Sequence, residues 1–176
     1  MGAAIQLRRE PLTTDEHQRA WQALCDDETL AGIAYKIETD AWGGVHMSPT
    51  QTKHSRMVRR VARLLEDKLG GEALTELAII TEDGVKVPDV AWCSEVFLAQ
   101  HWSDVALQKA PEICVEVVSP SNSEAELRNK TVQYLSLGAT EVWLVAEDGV
   151  VEIHSQAGPR DDSVFGFNPA AELRVE

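Results

Sequence analysis

The chain has 176 residues, 44% hydrophobic and 26% charged, with 16 Lys and Arg against 29 Asp and Glu for a formal charge of −13. That charge excludes a basic nucleic-acid coat protein, and no run approaches the ~18 apolar residues of a membrane span. A single domain over residues 1–176 is expected, in the cytoplasm and without membrane partners, because a chain this long buries roughly 70% of its unfolded surface and folds without disulfides or a structural metal.

Thr13 and Glu16 have capping-box spacing ahead of Trp21 and Leu24, which predicts a helix over about Asp15 to Cys25. IAYKIE and GVHMS, joined through Asp40, Trp42, Gly43 and Gly44, read as a hairpin whose second strand ends at Pro49. From Thr50 to Leu69 the positions Met57, Val58, Val61, Leu64, Leu65 and Leu69 recur at helical spacing, and Gly70 and Gly71 stop the run. TELAII and VKVPDVAW, split by Asp83 and Gly84, predict a second strand pair, with Pro88 at a strand start, edge or bulge. A short helical SEVFLAQ precedes the strand EICVEVV, bounded by Pro111 and Pro120. Ser123 and Glu126 repeat the capping-box spacing before a helix to Leu137, closed by Gly138. TEVWLVA and VVEIHS make a last hairpin, and the tail after Gly158 is weakly patterned, with its last residues expected to fray. This order describes an α/β mixed sheet flanked by helices.

The N-terminal MGAAIQLRREPL lacks the apolar core of a secretory signal. Cys25, Cys93 and Cys114 form no CxxC pair and read as small core residues; the five tryptophans read as core or interface. P-loop, GxGxxG, HExxH and GxSxG signatures are absent.

Three ionisable residues fall where apolar groups are expected. Alternation in EICVEVV places Glu116 on one face with Glu112, Cys114 and Val118, mid-strand among β-branched neighbours. Asp89 repeats the anomaly in VKVPDVAW. Lys130 shares a helical stripe with Leu127 and Tyr134. Two carboxylates on adjacent strands beside an inward lysine suit a hard divalent cation, Mg or Mn, and metal-assisted hydrolysis. The plainer alternative is a buried ion pair between Glu116 and Lys130, with Asp89 capping a turn. His54, on the face of Val58, Val61 and Leu65, and Glu38, at the end of a strand, are secondary candidates. The long helix also carries Lys53, Arg56, Arg59, Arg60, Arg63 and Lys68 against Glu66 and Asp67, six minus two or +4. Its arginines are candidate phosphate contacts or a solvated face.

The succession MSPTQTKHS, VPDVAW, PEICVEVVSPSN and RNKTVQYLSLGATEVWLVAEDG resembles the small stand-alone bacterial restriction-endonuclease branch of the PD-(D/E)XK nuclease superfamily, over about Tyr35 to Ser155. The resemblance implies a restriction-endonuclease-like core, divalent-metal hydrolysis of phosphodiester bonds in nucleic acid, DNA first, and a homodimer. It places Asp89 at the motif aspartate, Glu116 at the acid of the next strand, and the backbone carbonyl of Val117 among the metal ligands. The superfamily lysine two residues after the acid is Val118 here, and Lys130 matches the lysine that this branch draws from the following helix. The competing expectation is a catalytically inactive nuclease-like module for binding or regulation.

Overall fold

The computed structural model describes residues 10–120 and 122–174, so the expectations for the first residues of the chain and for fraying of the last two lie outside the described residues. Helix α1 (Thr14–Cys25) opens on the predicted capping box: Glu16 N–H donates to the Thr13 hydroxyl, and Thr13 N–H donates to the Glu16 carboxylate at 2.9 Å. Strands β1 (Tyr35–Thr39) and β2 (Val45–Pro49) form the predicted hairpin, with Ile37 opposite Met47. They make a two-stranded sheet of their own. Helix α2 (Thr52–Leu69) buries Met57, Val61 and Leu65 along the predicted stripe.

The next segment departs from expectation. Strand β3 (Glu72–Leu74) was not legible, since three residues cannot display a period of two. It runs so close to its neighbour that a Cβ on Gly71, φ +63°, would lie 2.4 Å from the Cys93 carbonyl oxygen. Of TELAII, only Ile79 and Ile80 are strand, in β4 (Ile79–Thr81), paired with β5 (Gly84–Lys86). VKVPDVAW is not one strand: β5 ends at Lys86, and β6 (Val90–Cys93) belongs to another sheet. Pro88 has no N–H for a ladder, and the chain turns there from one sheet into the other.

Helix α3 (Glu95–His101), β7 (Ile113–Val118), α4 (Glu124–Ser136), β8 (Glu141–Ala146) and β9 (Val151–Ser155) follow much as predicted. The Ser123 hydroxyl accepts from Glu126 N–H at 3.2 Å to cap α4. The tail is more regular than its pattern suggests, giving β10 (Gly158–Arg160) and α5 (Pro169–Leu173).

The main sheet has the order β10-β9-β8-β7-β6-β3, antiparallel except for β7 and β8, whose parallel pairing is bridged by α4. Strand alternation divides the core. Val90, Trp92, Ile113, Val115, Val117, Trp143 and Val145 pack with α2 on one side. Cys93, Cys114 and Val142 pack with Tyr134 of α4 and Phe97 of α3 on the other. A third cluster joins Trp21 of α1 to Ile80, Val85 and Val87. Cys93 and Cys114 are core residues as expected, but Cys25 is exposed at the end of α1. Trp42 and Trp102 are likewise exposed, 57% and 81%, because both lie in turns beyond the packed stripes.

One carboxylate secures the tail. Glu141 is fully buried and accepts from Trp143 Nε1 at 2.8 Å, Ser163 Oγ at 2.9 Å and Val164 N–H at 2.6 Å. Glu141→Ala leaves these donors without their acceptor and is expected to cost about 2–3 kcal/mol. A shift of the urea midpoint at unchanged slope is the readout; an unchanged midpoint would show that water replaces the carboxylate without loss.

Candidate active site

The register Val90 opposite Val115 carries Asp89, just before β6, alongside Glu116 in β7. Each carboxylate has one oxygen fixed by the surrounding fold. Asp89 Oδ2 accepts from Val117 N–H at 2.7 Å. Glu116 Oε1 accepts from Tyr134 Oη–H at 2.8 Å and lies 3.3 Å from Lys130 Nζ. The Lys130 ammonium donates to Glu38 Oε1 at 2.8 Å, and the same oxygen accepts from Val87 N–H at 2.9 Å. His54 Nε2 lies 3.3 Å from Asp89 Oδ1.

Glu38 reaches this point because β1 is docked onto β5. Val85 N–H donates to Thr39 Oγ1 at 2.8 Å, and Lys86 Nζ donates to the Thr39 carbonyl at 2.9 Å. The contact is tight: a Cβ on Gly84, φ +104°, would lie 2.4 Å from the Thr39 carbonyl oxygen.

Asp89, Glu116, Lys130, Glu38 and His54, picked separately from the sequence, therefore meet in one cluster. Lys36 was not among them, yet its Nζ lies 2.8 Å from Asp89 Oδ1, 3.3 Å from Glu116 Oε2 and 3.8 Å from Glu38 Oε1. The signal for it was present: two residues before Glu38 on a strand, it shares that residue's face. Tyr134 was legible as part of the Lys130 stripe, though only as packing.

The cluster forms one end of a cavity of about 600 Å³ between β1, the start of α2 and the loop after β7. Arg59 lines it, whereas Arg56, Arg60 and Arg63 do not. The expected arginine strip is thus divided: Arg60 donates to the Arg174 carbonyl at 3.4 Å, and Arg56 and Arg63 are exposed elsewhere on α2. Their spacing put them on a common side of the helix, but the cavity touches only the edge that carries His54, Ser55 and Arg59.

Burial opposes charge throughout, and pairing decides the outcome at every group of the cluster but Glu116. Burial alone would raise Asp89, but His54 and Lys36 hold it far below the usual carboxylate range. Burial would likewise raise Glu38, which Lys130 and Lys36 pull below its ordinary value. Glu116 goes the other way: burial, joined by repulsion from Asp89 and Glu38, outweighs both lysines and raises it. Lys36 and Lys130 are raised because the surrounding carboxylates overcome burial. The hydrogen bond to Asp89 raises His54. Three carboxylates against two ammonium groups leave one net negative charge before His54 is counted.

The family model for putative restriction endonucleases, Uma2, matches residues 34–175, which include every residue of this cluster. The chain belongs to the Uma2 family. The match runs past Ser155 into the tail, so β10 and α5 are part of the Uma2 pattern and not an appendage to it. The fold is similar to that of a putative nuclease belonging to DUF820 from Anabaena variabilis ATCC 29413, with a TM-score of 0.65 at 20% identity, covering 94% of this chain and 95% of that one. Comparison with the curated proteins gives no match. Membership in Uma2 and the shared architecture make this a restriction-endonuclease-like fold of the PD-(D/E)XK branch. Among the described residues, no helix is long and apolar enough to cross a membrane.

Proposed function

We propose that the protein is a divalent-metal-dependent endonuclease that hydrolyses phosphodiester bonds of nucleic acid, with DNA the first substrate to try. The observation that carries the reading is that Asp89 and Glu116, each anchored through one oxygen, turn their other oxygens towards a common point, met by the Lys36 ammonium, beside the buried Lys130. The donor set fits Mg or Mn: the side-chain donors are hard carboxylate oxygens, and Val117, whose N–H is bonded to Asp89, offers its carbonyl at the same edge of β7. Among the described residues no group of three or more His, Cys, Asp and Glu side chains is placed to hold a metal ion; the ligand set proposed is two carboxylates and the Val117 carbonyl. When bound, the ion supplies Lewis acidity and a water of lowered pKa.

The remaining work falls to the chain. Lys130 keeps its proton beside Glu116 and presents fixed positive charge where an attacking hydroxide or a phosphoryl oxygen gathers negative charge. Glu38 holds that ammonium in place. Arg59 adds a cationic group, and His54 a ring nitrogen, along the α2 wall, where they can meet the phosphates flanking the scissile bond.

The direct test is calorimetric titration with Mn or Mg of the wild type and Asp89→Asn, followed by a panel of DNA and RNA substrates. Heat of binding in the wild type that is lost in the variant, with ion-dependent cleavage, is the expected result. Binding that survives Asp89→Asn unchanged would remove the site from consideration.

A further inference from the structure

Lys36 bridges the two carboxylate oxygens that neither the β7 backbone nor the α4 side chains take. Asp89 Oδ2 is taken by the Val117 N–H and Glu116 Oε1 by Tyr134 and Lys130, whereas Asp89 Oδ1 and Glu116 Oε2 are the oxygens facing the Lys36 ammonium, at 2.8 and 3.3 Å, with His54 Nε2 also 3.3 Å from Asp89 Oδ1. A Mg ion bound by carboxylates sits roughly 2.0–2.1 Å from its oxygens. An ammonium and a divalent ion cannot both be in contact with the same pair of oxygens. One must leave.

Lys36 is the group built to do so. Its side chain is 24% exposed, against 6% for Lys130, 6% for Asp89 and 4% for Glu116. It lines the cavity, and a lysine stem has four rotatable bonds along which to withdraw into that space. It also comes from β1, in a sheet separate from the one that carries Glu116 and that the chain enters directly after Asp89. Lys130, by contrast, is fixed between Glu38 and Glu116 on a buried helix face.

We infer that Lys36 is a displaceable internal counter-ion: its ammonium keeps Asp89 and Glu116 together without a metal, gives up Asp89 Oδ1 and Glu116 Oε2 to an entering divalent cation, and is thereby released into the cavity to pair with a substrate phosphate. This rests on the metal-site reading above and deepens it by naming the positioning residue that sets ion affinity and links it to anion binding. Three consequences follow for the intact protein. The ion must compete with a tethered cation, so the free site binds it more weakly than its carboxylates alone would. Removal of the ammonium strengthens ion binding. The same removal weakens binding of a phosphate-bearing substrate to the ion-loaded protein.

The test is Mn binding, followed by calorimetry and by the electron paramagnetic resonance signal of free Mn, in the wild type, Lys36→Met and Lys36→Arg. Lys36→Met is expected to bind Mn about tenfold more tightly, within the range by which one ligand ordinarily modulates another. Lys36→Arg, which keeps the charge, is expected to show no such gain. Equal or weaker Mn binding by Lys36→Met overturns the exchange and leaves the metal-site reading intact. Failure of both the wild type and Lys36→Met to bind Mn overturns both. Wild-type protein labelled with ¹⁵N-lysine covers the case of a variant that does not fold. Added Mg is expected to shift the Lys36 ammonium resonance and leave that of Lys130 nearly in place; a Lys36 signal unmoved while calorimetry shows Mg bound overturns the proposal.

Discussion

Glu116→Gln should reduce cleavage by about a thousandfold or more while leaving the melting temperature within a few degrees of wild type. The loss of activity follows from removing one of two anionic ligands, in the range found when a group that stabilises developing charge is deleted. The small stability effect follows from the charge count. Glu116 is one of three carboxylates facing two ammonium groups, and its own charge is disfavoured by burial and by Asp89 and Glu38. The amide still offers an oxygen to Tyr134 and is nearly the same shape. Parallel cleavage assays and thermal melts on the two proteins check both halves. A purely structural ion pair would behave differently, losing roughly 3–5 kcal/mol when one partner is removed. A sharp fall in melting temperature would therefore favour that alternative, and a wild type that binds the ion without turnover would favour the inactive-module reading.

Lys130→Met should have the opposite balance, with a stability loss of about 3–5 kcal/mol in addition to lost activity. The ammonium is buried and serves Glu38 at 2.8 Å and Glu116 at 3.3 Å, so its removal leaves an excess of two negative charges where there was one. Methionine fills a similar volume, which separates charge from packing. Urea unfolding at constant slope measures the loss. The double variant Lys130→Met/Glu116→Gln is expected to recover part of it, because the uncompensated charge falls again; strictly additive losses would show that the two groups do not interact.

The fold was legible wherever an element was long enough to repeat its period. The stripe Met57, Val61, Leu65 marked α2, and Ile113, Val115, Val117 marked the α2 face of β7. β3 failed that condition, and the passage through Pro88 failed for a different reason: apolar residues continue across it while the hydrogen-bonding partner changes. In the site, Asp89, Glu116 and Lys130 were visible as charges on apolar faces. Lys36 was legible only through Glu38, two residues on in the same strand, because IAYKIE otherwise alternates as an exposed strand would. A lysine there reads as solvent-facing until the tertiary fold sets Asp89 and Glu116 opposite it.

The separate β1–β2 sheet has a consequence for where the molecule opens. Its charges reach the rest of the site across 53 residues from Lys36 to Asp89, 80 from Lys36 to Glu116 and 92 from Glu38 to Lys130, whereas Glu116 and Tyr134 are only 18 apart. Every residue of β2 is exposed, while five of the six in β7 are buried. Local unfolding starts where few apolar contacts must be broken, so opening is expected first at this hairpin, once the β1–β5 contact through Thr39 is released, while β7, α4 and β8 stay folded. Each such excursion parts Lys36 and Glu38 from Asp89, Glu116 and Lys130. The completeness of the site is therefore governed by the free energy of one hairpin, a smaller quantity than the stability of the whole chain.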